Sequence, residues 1–94
     1  MVVRLFSDEL KEILISKKYL DNSDFEDNYL NAAGTLKARS IKEINISKSS
    51  VTNIEGINEF TCLEKLDCSF NEIDNLDLNK CINLLELNCR NSKI

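Results

Sequence analysis

The chain has 94 residues, a formal net charge of −4, 43% apolar and 30% charged side chains, the balance of an ordinary globular domain. An acidic chain lacks the clustered Lys and Arg that displace counterions from nucleic acid, and no apolar run approaches the roughly 20 residues of a membrane span. Nucleic-acid binding and membrane insertion are therefore not expected. Histidine is absent, which removes the usual general base, the usual nucleophile activator and the commonest metal ligand together.

The first residues, Met1 to Glu9, meet acidic side chains too early to hold the apolar core of a signal peptide. Two readings stay open: a cytoplasmic protein, or one whose export signal has been removed. Phe6, Leu10, Ile13 and Leu14 then fall at i, i+4, i+7 and i+8, one face of a helix. Ser7 suits the N-cap, while Asp8 and Glu9 suit the positive end of the helix dipole. Lys17 and Lys18 suit the other end, so the spacing predicts a helix over about 8–18. Residues 21–31 read as a polar loop that buries Tyr29 or Leu30. Gly34-Thr35 reads as a turn or C-cap glycine followed by an N-cap, with a short helix over Leu36 to Ser40.

From Ile41 the pattern changes. Leu63, Leu66, Cys68 and Ile73 return 21 residues later as Leu84, Leu87, Cys89 and Ile94, and an earlier copy runs Ile41, Ile44, Ile46, Ser49, Val51. A period of 20 to 29 residues written L-x-x-L-x-L/C-x-x-N-x-L is the signature of a leucine-rich repeat. One such repeat cannot bury its apolar face alone and must stack on its neighbours. The expected fold is an α/β solenoid, a right-handed β-α superhelix of leucine-rich repeats. It should carry a short parallel sheet on its concave face and an α-helical N-terminal cap. Residues 1–40 form the cap in this reading, and 41–94 the repeats, divided as 41–62, 63–83 and an incomplete 84–94. Strands are expected near 43–46, 65–68 and 86–89. Ile54, Ile57 and Phe60 suit a turn of 3₁₀-helix on the convex side, and Leu76-Asp-Leu78 a brief extended stretch.

The run from Ile54-Glu-Gly56-Ile57 through Phe60, Leu63, Leu66-Asp-Cys68, Asn71 and Ile73 to Leu76-Asp-Leu78 closely resembles bacterial leucine-rich repeat proteins of the internalin-like kind. The likeness covers 41–94 strongly and 5–40 more loosely. It implies a helical cap with repeats of 21 or 22 residues, and an interaction module that is secreted or attached to the cell surface. It identifies no ligand, because fold does not fix function.

Four cysteines, Cys62, Cys68, Cys81 and Cys89, are spaced by 6, 13 and 8 residues, without the close pairs of a structural zinc site. Cys68 and Cys89 occupy the inward position filled by Ile46 in the first repeat. They read as core thiols; a disulfide between them is within reach by strand spacing, but the S–S torsion suits a parallel ladder poorly. The acidic stretch 21–27 hints at calcium, yet a loop counted from Asp27 as position five puts Phe25 at position three and Gly34 at position twelve, where ligands are required. Asn28 reads instead as a turn residue tolerant of positive φ. No metal and no cofactor are expected. Asn71 reads as structural, bonding backbone in the turn after its strand, with Ser49 and Ser92 as shorter substitutes on either side.

A binding surface would lie on the outward strand positions. These are Glu43, Lys65 and Glu86 in one row, Asn45, Asp67 and Asn88 in the next, and Lys48, Phe70 and Arg90 beyond the strand ends. The first row can be explained by cross-strand ion pairs alone. Phe70 has two readings: an aromatic binding hot spot, or a scattered surface apolar group. No pairing of Ser, Thr, Lys, Asp or Glu forms a catalytic constellation, so the chain is not expected to be an enzyme. The sequence points to a protein-binding module, with a glycan as another ligand class and a cytoplasmic regulatory or inhibitor protein as the alternative reading. The incomplete last repeat leaves an edge strand beside Leu84, Leu87 and Ile94, a template for an end-to-end homodimer unless further repeats follow.

Overall fold

The computed structural model describes residues 5–92. Its first α-helix, α1 (Asp8–Ser16), begins where expected: Ser7 Oγ accepts from the Leu10 amide at 3.1 Å and donates to Asn53 O at 2.6 Å. Leu10 and Leu14 are buried on its inner face. It ends earlier than expected, with Lys17 as the C-cap and Lys18 in the left-handed region at φ 65°.

Residues 21–31 are more ordered than a polar loop. A 3₁₀ turn (Asn22–Asp24) leads into a hairpin of β1 (Phe25–Glu26) and β2 (Tyr29–Leu30), paired Phe25 to Leu30 and Glu26 to Tyr29. The positive φ falls on Asp27, at 51°, rather than on Asn28. Phe25 is the buried side chain, 8% exposed, whereas Tyr29 and Leu30 are half-buried. Phe25 packs edge-on against Phe6 at 5.2 Å, which itself meets Phe60 at 6.2 Å. Buried Asp24 accepts from the Asp21 amide at 2.8 Å and from Lys37 Nζ at 2.9 Å. The amide bond first and the lysine second hold its carboxyl below the usual range.

The second helix, α2 (Ala32–Ser40), starts four residues before the expected Leu36, capped by Asn31 Oδ1 on the Gly34 amide at 2.9 Å. Gly34 therefore lies in the first turn and is not a terminator. A Cβ there would sit 2.3 Å from Asp24 O, so the glycine lets helix and loop touch.

Three strands follow: β3 (Glu43–Asn45), β4 (Lys65–Asp67) and β5 (Glu86–Asn88). They are parallel in the order β3-β4-β5, with Glu43 beside Lys65 beside Glu86. The link from β3 to β4 contains a 3₁₀ turn, Ile57–Glu59, entered through Gly56 at φ 106°. A Cβ at Gly56 would lie 2.5 Å from Phe6 Cγ. Leu76 and Leu78 are half-buried in a segment without a regular element.

The expected solenoid is not the architecture of this chain. The described residues form a compact α/β domain of two helices with a two-stranded antiparallel and a three-stranded parallel sheet, 34 × 25 × 25 Å in extent. Strands of three residues stepping about 4.8 Å twice advance only about 10 Å, too little for a superhelix to develop. No α-helix lies in the connections after α2, so there is no β-α repeat. Residues 5–40 are not purely helical either, since a hairpin separates the two helices. One core, from Phe6, Leu10 and Leu14 through Ile44, Phe60 and Leu66 to Cys81, joins this layer to the parallel sheet. Ile94 and residues 1–4 lie outside the described residues.

Candidate functional site

Strand alternation turns Ile44 and Leu66 into the core, each 2% exposed, and leaves their neighbours outward. Six of the nine sequence-predicted residues, Glu43, Asn45, Lys65, Asp67, Glu86 and Asn88, therefore share one surface along β3, β4 and β5, and Lys48, Phe70 and Arg90 follow in the turns beyond the strand ends. In the first row Lys65 Nζ lies 3.6 Å from Glu43 and 4.0 Å from Glu86. All three side chains are at least half exposed, so these contacts stabilise little.

The second row is occupied with local work. Asn45 Oδ1 accepts from the Ser47 amide and hydroxyl at 3.0 and 2.7 Å, Asp67 Oδ1 from those of Ser69 at 3.1 and 2.6 Å, and Asn88 Oδ1 from the Arg90 amide at 3.1 Å. Each side chain turns the backbone at the end of its strand. A shallow hollow of about 420 Å³ lies over the three strands between these rows.

Beyond the strand ends the backbone repeats an unusual conformation. Lys48, Phe70 and Asn91 have φ of 55°, 56° and 56°. This is routine for Asn and costly for a bulky residue such as Phe. Phe70 is 45% exposed, and Lys48 Nζ stands 5.6 Å from its ring centroid. The Phe70 amide donates to Arg90 O at 2.9 Å, and the Lys48 amide to Ser69 O at 3.0 Å, so the three turns are laced side by side. The face thus has two ends of different character: carboxylates around Lys65 at the strand starts, and an aromatic ring beside Lys48 Nζ at the finish. The left-handed backbone under Lys48 and Phe70 was not foreseen, since neither residue type signals it. The Tyr19 hydroxyl was missed too; it accepts from the Asn45 amide at 2.8 Å and closes the outer edge of β3.

A larger hollow of about 630 Å³ lies elsewhere, between 52–59 and 74–77, and is lined by Glu55, Glu59, Asp74 and Asp77 among others. No group of three metal-ligating side chains suited to an ion occurs among the described residues. Asn71 is 4% exposed and wholly engaged with backbone, as expected of a structural residue.

All four cysteines are free thiols. Burial first, and the nearby Cys89 and Asp67 second, push the Cys68 thiol up to about 11. Burial likewise raises Cys81, whose Sγ donates to Ile57 O at 3.6 Å. Both are protonated at neutral pH and poor nucleophiles. Cys89 does not share the burial of Cys68, because no strand among the described residues lies beyond β5 to cover it. Denatured protein should therefore take up four equivalents of a thiol reagent, while native protein leaves Cys68 and Cys81 unmodified. Rapid native labelling of Cys68, resolved by peptide mass, would refute the inward ladder.

No helix among the described residues is long and apolar enough to cross a membrane. No protein-family model matches the chain, and no curated protein matches it.

Proposed function

We propose that the protein is a non-catalytic binding module for a protein partner, acting through the outer face of β3, β4 and β5 and the rim formed by Lys48, Phe70 and Arg90. The observation that carries this reading is Phe70. Its backbone sits in the left-handed region, which costs about 1–3 kcal/mol for a residue of this kind. The bonds between adjoining turns hold that backbone, while the ring lies outside the core, so the fold itself does not call for an aromatic at this position. Aromatic and arginine side chains are the types enriched at interface hot spots, and exposed Phe70 lies in the turn bonded to that of Arg90. The resemblance of 54–78 to bacterial interaction modules supports the same reading. The partner surface that fits is an apolar or aromatic side chain beside a carboxylate, met by Phe70 with Lys48 and Arg90.

Phe70→Asn separates binding from folding, because Asn tolerates the left-handed backbone. The variant should be as stable as the parent or up to about 1 kcal/mol more stable. A phage-displayed random peptide library selected on the parent should yield peptides with an acidic residue next to an apolar one. Their affinity for the variant should fall by about 2 kcal/mol or more. Selected peptides that bind both proteins equally would overturn the assignment.

A further inference from the structure

β5 (Glu86–Asn88) forms one edge of the parallel sheet, and its central side chain is poorly covered. Leu87 is 43% exposed, whereas Ile44 and Leu66 in the same row are 2% exposed. The two edges of this sheet differ. Tyr19 closes the β3 edge, and no side chain does the same for β5 among the described residues. On its inner side the Glu86 amide donates to Glu64 O at 3.0 Å, and Asn88 O accepts from the Cys68 amide at 2.9 Å. Strand alternation then directs the N–H and C=O of Leu87 to the open edge.

The geometry points to a homodimer formed by antiparallel pairing of β5 with β5 of a second copy, its two-fold axis passing between the two Leu87 residues. This register is selected twice over. Pairing Leu87 with its own copy lets the two residues exchange both backbone bonds, a closely spaced antiparallel pair. Centring the pairing on Glu86 or Asn88 would offer backbone groups already bonded to β4. Charge selects the same register. Glu86 then stands opposite Asn88 of the other copy instead of its own carboxylate. Its diagonal neighbours on that face are Arg90 and Glu86 of the other copy, and the opposite charge of Arg90 offsets the like charge of Glu86. The two-fold axis makes this ion pair twice. On the core side, Leu87 meets its symmetry mate and continues the apolar row begun by Ile44 and Leu66. The same surface is used on both copies, so the contact closes at two and does not propagate.

Sedimentation equilibrium from low to high micromolar concentration tests the dimer. A reversible monomer–dimer equilibrium is expected, with hydrogen exchange at the Leu87 amide slowing as concentration rises. Glu86→Arg places like charges across the axis and should weaken the dimer about tenfold. Adding Arg90→Glu to it restores opposite charges and should recover the parent constant, which also excludes misfolding as the cause. A protein that stays monomeric with fast Leu87 exchange overturns the inference, and so does a dimer indifferent to Glu86→Arg. Phe70→Asn should dimerise as the parent does, so failure of peptide binding and failure of dimerisation are read separately.

Discussion

Asn71→Ala should destabilise the domain by about 3–5 kcal/mol, a large part of the roughly 5–15 kcal/mol available to a small protein. The side chain is 4% exposed and joins two turns. Its Oδ1 accepts from the Ser49 amide at 2.9 Å and the Val51 amide at 3.1 Å. Its Nδ2 donates to Ile46 O at 2.8 Å and Cys68 O at 3.1 Å. Truncation leaves the Ser49 and Val51 amides and Ile46 O without their partner, while Cys68 O keeps the Ser92 hydroxyl at 3.3 Å, and each buried orphan costs about 1–3 kcal/mol before relaxation. Asn71→Asp sharpens the test. It keeps both acceptor bonds but presents a carboxylate to two carbonyl oxygens, so it should be no better than Ala at neutral pH. Denaturant midpoints at constant slope measure both changes. A loss under about 1 kcal/mol for Asn71→Ala would mean that water replaces the side chain without penalty.

What was legible in the sequence followed from periodicity. Apolar residues recurring at 44, 66 and 87 located three strands within one residue of where they lie, and alternation put Glu43, Asn45, Lys65, Asp67, Glu86 and Asn88 on their outward face. The same period misled at the level of architecture. It states which residues pair with which, and it does not state how far the stacking extends or what fills the connections. With three strands and no helix between them, the pairing produces a small sheet on a mixed α/β layer. The hairpin at 25–30 escaped notice because two-residue strands are too short to show alternation, and its turn, Asp27-Asn28, looks like any polar loop. Gly34 was read as punctuation because a glycine without visible surroundings signals freedom. Its actual reason, the approach of Asp24 O, is tertiary. The positive φ at Phe70 belongs to the same class, since only the bonds of its neighbours impose it.

Leu10→Asp should be the most damaging substitution in the N-terminal layer, at about 4 kcal/mol or more. Leu10 is fully buried on α1 within the common core. Removing its side chain alone costs about 2–5 kcal/mol, and a carboxylate in its place must be desolvated or protonated. The helix cannot swing away cheaply to relieve this. Ser7 donates to Asn53 O and its amide to Glu55 O, while Glu9 accepts from both the amide and the hydroxyl of Thr52. Those Thr52 bonds also hold the Glu9 carboxyl below its ordinary range. The start of α1 is thus fastened to the segment that follows β3, and disturbance at Leu10 reaches the sheet. In a domain of this size each kcal/mol shifts the melting temperature by about 4–8 °C, so the variant should melt about 15–30 °C lower or be unfolded at room temperature. Leu36→Asp, at a site 73% exposed on α2, is the control and should change stability by less than about 0.5 kcal/mol. Equal melting temperatures for Leu10→Asp and the parent would show that α1 does not seal the core.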